Sequence, residues 1–101
     1  MCGFVGVINS KDQHQAKNVI PKMNDLINHR GPDDEGYFYD DKIALGFKRL
    51  SIHDLSSSGH QPMHSVNKRY TIVFNGEVYN FIELRDELKK KGYDFFSGTD
   101  T

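Results

Sequence analysis

A chain of 101 residues with a single cysteine cannot hold an internal disulfide framework, and this scarcity fits a reducing compartment. A basic excess is lacking too. Thirteen Lys and Arg against fourteen Asp and Glu leave a net charge of −1, which gives no footprint for nucleic acid or an anionic membrane surface. No apolar run reaches membrane-spanning length. The N-terminus has no charged region ahead of a signal-type apolar stretch. Internal repeats, low-complexity segments and CxxC elements are absent. What remains is one small domain with a modest core, expected to be soluble and cytoplasmic.

The lone cysteine is Cys2, in Met1-Cys2-Gly3-Phe4-Val5-Gly6-Val7-Ile8. With the initiator methionine removed, it would carry a thiol and a free α-amine on one residue. That amine has an unperturbed pKa of roughly 7.7–8.0, so near neutrality part of it can accept a proton. An N-terminal nucleophile of this kind brings its own base. The alternative is a small buried hydrophobe near a terminus.

Residues 2–8 read as a buried strand. Ala16, Val19, Ile20, Met23, Leu26 and Ile27 recur at helical spacing and predict a helix over 14–28. Pro21 either kinks it or marks its true first turn. His29 to Gly36 is a polar loop. Strands are predicted over 36–40, 42–47 and 49–53, with Asp40-Asp41 as a turn. A long loop covers 54–68, a length that is often functional. Residues 69–75 alternate as a strand, and Asn75-Gly76 breaks it. Asn80 with Glu83 predicts a capping box. Phe81, Leu84 and Leu88 line one face of the helix it opens, which Gly92 ends. A last strand follows. The order β-α-β-β-β-β-α-β argues α+β with largely antiparallel sheet.

Three constellations carry chemistry. Asn75-Gly76 is either a hairpin turn or, because it joins a strand to a helix, an amide and a backbone N–H that hold an oxyanion. Arg49 is either a surface arginine or a bidentate clamp on a carboxylate. Asp33-Asp34-Glu35 lacks histidines at ligand spacing and reads as a solvated loop with a buried anchor, so no metal site is expected. Lys89–Lys91 is a solvated helix end.

Taken together, Met1-Cys2-Gly3-Phe4-Val5-Gly6, His29-Arg30-Gly31-Pro32-Asp33, Arg49-Leu50-Ser51-Ile52, Gly59-His60-Gln61-Pro62-Met63 and Phe74-Asn75-Gly76-Glu77-Val78-Tyr79-Asn80, with Asp100 beyond them, resemble the N-terminal glutaminase domain of class II glutamine amidotransferases. Within that family the chain is most similar to the glutamine-hydrolysing asparagine synthetases. The resemblance spans the whole chain in the family's order.

The resemblance implies an N-terminal-nucleophile hydrolase with an αββα sandwich of antiparallel sheets, of which only the first half would lie in residues 1–101. Cys2 would attack the glutamine side-chain amide with its own α-amine as base. Asn75 and Gly76 would hold the oxyanion, and Arg49 the α-carboxylate. Asp100, with Glu77 and backbone near Ile52, would bind the α-ammonium. Glutamate and ammonia would result. The ammonia would travel to a synthetase domain of the same chain, which uses ATP and Mg2+ to activate aspartate; no cofactor is implied for this segment itself. A homodimer is a further implication for the full-length parent. Two alternatives stay open. One is a related amidotransferase with another ammonia acceptor. The other is an inactive fragment with a structural or interaction role, and retained Met1 would favour it by acylating the nitrogen of Cys2.

Overall fold

In the computed structural model, residues 1–8, 11–52 and 54–101 are described. The elements are β1 (Gly3–Ile8), α1 (Gln13–Leu26), a 3-10 turn (Asn28–Arg30), β2 (Asp34–Tyr39), β3 (Ile43–Arg49), a second 3-10 turn (Ser57–Gly59), β4 (Met63–His64), β5 (Thr71–Ile72) and α2 (Phe81–Lys90). β1, β3 and β2 form one antiparallel sheet in that order, and β4 pairs antiparallel with β5. The α+β class with antiparallel pairing is therefore as expected.

The Asp12 carboxylate starts α1 by accepting the Gln15 N–H, which satisfies one orphan donor of the first turn. The helix runs through Pro21, so the proline lies in its interior and not at its first turn. The missing proline N–H leaves the carbonyl one turn earlier without its helical donor. Ala16 and Ile20 are buried with Ala44 of β3, and Val5, Val7, Met23, Tyr37 and Tyr39 pack around them. Leu26, assigned to the apolar stripe from its spacing, is 79% exposed. The buried place one turn beyond Ile20 belongs instead to Asn24, which donates to Tyr37 Oη and the Phe47 carbonyl.

The register sorts the sheet into two faces. Gly3 pairs with Lys48 and Val5 with Gly46, and these alternate residues face α1 because side chains along a strand have period two. Phe47, Arg49 and Gly36 fall on the opposite face. There the chain 60–64 lies over the sheet. A Cβ on Gly36 would sit 2.0 Å from the Gln61 carbonyl oxygen, and the Phe38 and His64 rings are 5.5 Å apart. The order through the molecule is α1, the three-stranded sheet, then the segment leading into the β4–β5 hairpin.

Several expected strands are shorter or absent. The strand over 49–53 does not form among its described residues; His53 lies outside them. β3 runs through Arg49 and ends there. Beyond it, the Cys2 sulfur takes the Leu50 N–H and the Asp33 carboxylate takes the Ser51 N–H, so side chains satisfy donors that a ladder would have used. The strand over 69–75 contracts to Thr71–Ile72, and the Phe74 N–H goes to the Gln61 side chain. No strand follows α2 among the described residues, where Tyr93 to Ser97 have no regular secondary structure. The loop over 54–68 contains the second 3-10 turn and β4. Asp40 does make the β2–β3 turn, with its carboxylate accepting the N–H groups of Lys42 and Ile43. Asn80 is the N-cap of α2 but makes no side-chain capping bond, so the capping box is not formed. Gly92, at φ +91°, does end that helix, with the Tyr93 N–H returning to the Leu88 carbonyl.

Candidate active site

Cys2 precedes β1 by one residue. Since Gly3 pairs with Lys48, one further step brings Cys2 alongside Arg49, on the face away from α1. Two contacts fix it there. The Leu50 N–H donates to Sγ at 3.3 Å, and the thiol reaches the Leu50 carbonyl at 3.5 Å. The Arg30 Nε–H donates to the Cys2 carbonyl at 3.1 Å.

The loop before β2 is pressed onto the end of β3. A Cβ on Gly31 would meet the Arg49 backbone nitrogen at 2.6 Å, so only glycine permits this approach. The Asp33 N–H then donates to the Arg49 carbonyl. These contacts explain locally the polar run around Gly31-Pro32-Asp33. Its acidic neighbours are each engaged. Asp34 meets His60 Nδ1 at 2.7 Å and Glu35 pairs with Lys48. Asp34 and Glu35 belong to β2 and not to the expected loop, and with its side chain 49% exposed Glu35 is not the buried anchor expected of the cluster.

Arg49 is 6% exposed, which rules out the surface arginine. It is the last residue of β3, not the first of a following strand. Its guanidinium donates to the Ser56 carbonyl at 2.7 Å and to the Asp54 carbonyl. Gly59 leaves room for it: a Cβ there would lie 2.3 Å from one guanidinium nitrogen. The Asp54 carboxylate in turn accepts the N–H groups of Ser56 at 2.8 Å and Gly98 at 2.9 Å. The Ser56 side chain, then the Gly98 and Ser56 N–H groups, hold its carboxyl down to about 2, with Arg49 adding a smaller effect.

These elements enclose a cleft of about 120 Å³. Cys2, Arg49, Ile52, Asn75, Gly76, Glu77 and Asp100, every site residue nominated from the sequence, line it together. Residues from both termini and the middle of the chain thus meet in one place. Asn75-Gly76 follows the hairpin and leads to α2, so it is not itself a two-residue hairpin turn. A Cβ on Gly76 would meet the Phe74 ring at 2.9 Å. Asp100 accepts the Val78 N–H at 2.7 Å, which ties the chain end to the segment after Gly76. Met1 is 67% exposed and lies at the cleft. While it is attached, the Cys2 nitrogen is an amide and cannot act as a base.

Residues 1–101 match the family model described as "Glutamine amidotransferase domain". The chain belongs to that family. The amidotransferase domain is 50% identical over 104 residues to asparagine synthetase [glutamine-hydrolyzing] 1 of Bacillus subtilis, covering 100% of this chain and 16% of that protein. It is 43% identical over 119 residues to a putative asparagine synthetase 2 of Methanocaldococcus jannaschii, covering 100% and 22%. With asparagine synthetase 1 of Arabidopsis thaliana the identity is 37% over 101 residues, covering 99% and 17%. The chain spans about a sixth to a fifth of the length of these relatives.

The amidotransferase cleft also has a layer behind its nominated residues. Gln61, 5% exposed, joins its Oε1 to the Phe74 N–H at 2.7 Å and its Nε2 to Thr101 Oγ1 at 3.3 Å. Gln61, Asp54 and Gly59 all line the cleft, and none drew attention as a site residue in the sequence. Asp54 had one signal: an acidic residue two positions before a serine, in a loop, is a common side-chain-to-backbone turn. Gln61 had only its place in the Gly59–Met63 run.

Proposed function

We propose that this cleft hydrolyses the side-chain amide of glutamine with Cys2 as nucleophile. The ammonia released then serves ATP-dependent synthesis of asparagine from aspartate, in a synthetase domain of the same chain. The convergence of Cys2, Arg49, Asn75, Gly76 and Asp100 on one cleft carries this reading.

The chemistry balances with these groups. Once Met1 is removed, the Cys2 α-amine takes the thiol proton. Sγ attacks the amide carbon, and the carbonyl electron pair moves onto oxygen, held by the Asn75 amide and the Gly76 N–H. Collapse breaks the C–N bond, and nitrogen leaves as ammonia carrying the proton from the α-ammonium. Water adds to the thioester, giving its proton to the amine, and the C–S bond breaks to release glutamate. Arg49 binds the α-carboxylate, while Asp100, Glu77 and the backbone at Ile52 bind the α-ammonium.

The finer assignments belong to the same reading. The layering of α1, the sheet and the hairpin supports an αββα N-terminal-nucleophile fold, with these residues supplying its first half. ATP and Mg2+ are assigned to the synthetase domain; among the described residues no group of three or more His, Cys, Asp and Glu side chains is arranged to hold a metal ion. Among the described residues no helix is long and apolar enough to cross a membrane, and the single free thiol fits a cytoplasmic setting. A homodimer of the full-length protein completes the assignment.

The test uses the full-length protein carrying these residues. Cys2→Ala should abolish glutamine-dependent synthesis and leave ammonia-dependent synthesis, since free ammonia bypasses the acyl-enzyme. A form that keeps Met1 should lose glutamine hydrolysis with its thiol intact. Equal loss of both synthetic activities in Cys2→Ala would assign Cys2 a structural role.

A further inference from the structure

The two donors assigned to the oxyanion sit on a stretch of chain with little regular structure to hold it. β5 ends at Ile72 and α2 begins at Phe81. Between them the Phe74 N–H is held not by a strand but by Gln61 Oε1, at 2.7 Å. Gln61 is buried, and its other amide group reaches Thr101 Oγ1, next to Asp100. Its main chain is seated in turn against Gly36 of β2, where no side chain would fit. A continuous line of contact therefore runs from the sheet through Gln61 to Phe74, whose ring lies against Gly76.

We propose that Gln61 is a positioning residue for the oxyanion-binding segment, acting through its hydrogen bond to the Phe74 N–H; this rests on the glutaminase reading of the cleft. A buried amide suits the task. It offers an acceptor to Phe74 and a donor to Thr101 at once. Leaving the part-buried Phe74 N–H unpaired would favour a shift of the segment toward another partner. The substrate's α-groups are held elsewhere, by Arg49 and Asp100. Loss of the Gln61 acceptor should therefore disturb the transition state more than glutamine binding.

Steady-state glutamine hydrolysis by the full-length, Met1-processed protein tests this. Gln61→Met keeps the length and bulk of the side chain and removes both polar groups. It should lower kcat by about 10²-fold, the effect of an ångström-scale misplacement, with KM held within about threefold. Gln61→Glu retains an acceptor for the Phe74 N–H and should stay within about tenfold of the wild-type kcat. A mere filler would behave oppositely, because methionine fills the space and glutamate brings a charge. Gln61→Asn keeps the amide but withdraws it by one carbon, and its kcat should fall with KM held; it serves where Gln61→Met does not fold. An unchanged kcat in the folded Met or Asn variant, or equal losses in Met and Glu, would overturn the proposal while leaving the glutaminase reading in place. A wild-type protein without Cys2-dependent glutamine hydrolysis would bring down both.

Discussion

Arg49 spends part of its guanidinium on its own protein. Two backbone carbonyls, those of Asp54 and Ser56, accept from it, and this fixes the plane of the fork before any ligand arrives. Of five N–H donors, the others remain to pair with a carboxylate. Arg49→Lys keeps the charge but loses both the fork and its braces. The KM for glutamine should rise by roughly 10- to 100-fold, the worth of a charge-assisted hydrogen bond or two, with a smaller fall in kcat. An analogue without the α-carboxylate should be affected little. Asn75→Ala should show the reverse division, with kcat down roughly 10²–10³-fold and KM changed less, because an oxyanion donor acts mainly in the transition state. Steady-state kinetics of the two variants side by side would separate these roles. Identical KM effects would place Asn75 in ground-state binding or in shaping the turn.

At the scale of the elements, Lys48 shows how charge joins what hydrophobic burial has already stacked. It lies on the α1 face of β3, and its ammonium meets Glu35 of β2 and, at 3.9 Å, Asp25 of α1. The hydrogen bond from Lys48 holds the Glu35 carboxyl below its ordinary 4.5, and Glu35 holds the Lys48 ammonium above its ordinary 10.5. A lowered carboxyl contributes stability above its unfolded value and loses it as pH falls through the folded one. A raised ammonium contributes stability below its unfolded value and loses it as pH rises through the folded one. The link is therefore complete from about pH 5 to 10. Glu35→Gln should flatten the fall in melting temperature below pH 5, measured by circular dichroism, with little change in the glutamine KM. A wild-type acid limb that persists unaltered in Glu35→Gln would assign it to other carboxylates. The elements also show what local pattern can and cannot reveal. Helix periodicity located α1, and Gly92 located the end of α2, because both signals are local. The alternation Tyr70, Ile72, Phe74 overstated β5 because ladder length is set by the partner, and here a glutamine side chain from a distant segment takes the Phe74 N–H. The strand expected after Arg49 failed for the same reason, through Cys2 and Asp33. The residues that line the cleft were nominated through motifs that follow one order along the chain. Of their braces, Gln61 was not legible, since its partner Phe74 lies 13 positions away, and Asp54 showed only its local turn to Ser56 and not its tie to Gly98, 44 positions on.

At the scale of the whole molecule, burial is uneven. The core of Ala16, Ile20 and Ala44 is closed on one face of the sheet and Phe47 is buried on the other, while no residue of α2 is buried. Ile82 is 61% exposed and Phe96 62%, and Leu84, Leu88 and Phe95 share a shallow groove beside Thr99 and Asp100. An apolar face of this kind is normally covered. We expect chain beyond residue 101 to cover it, as the greater length of the relatives allows. Leu84 and Leu88 separate the two cases. In residues 1–101 prepared alone, Leu84→Ala and Leu88→Ala should each change unfolding free energy by under about 1 kcal/mol, since each side chain is already in partial contact with water. In the full-length protein each should cost about 2 kcal/mol or more, as deletion from a closed core does. The isolated segment should also bind a hydrophobic dye that the full-length protein does not. Urea unfolding of both lengths would measure the difference. Equal costs in the two would mean that the groove stays open in the longer chain. Arg85 of this face donates to the Thr99 carbonyl, one residue before Asp100, so closing the groove would also firm the side of the cleft that we propose holds the α-ammonium. Glutamine KM should accordingly be higher for the isolated, Met1-processed segment than for the full-length protein.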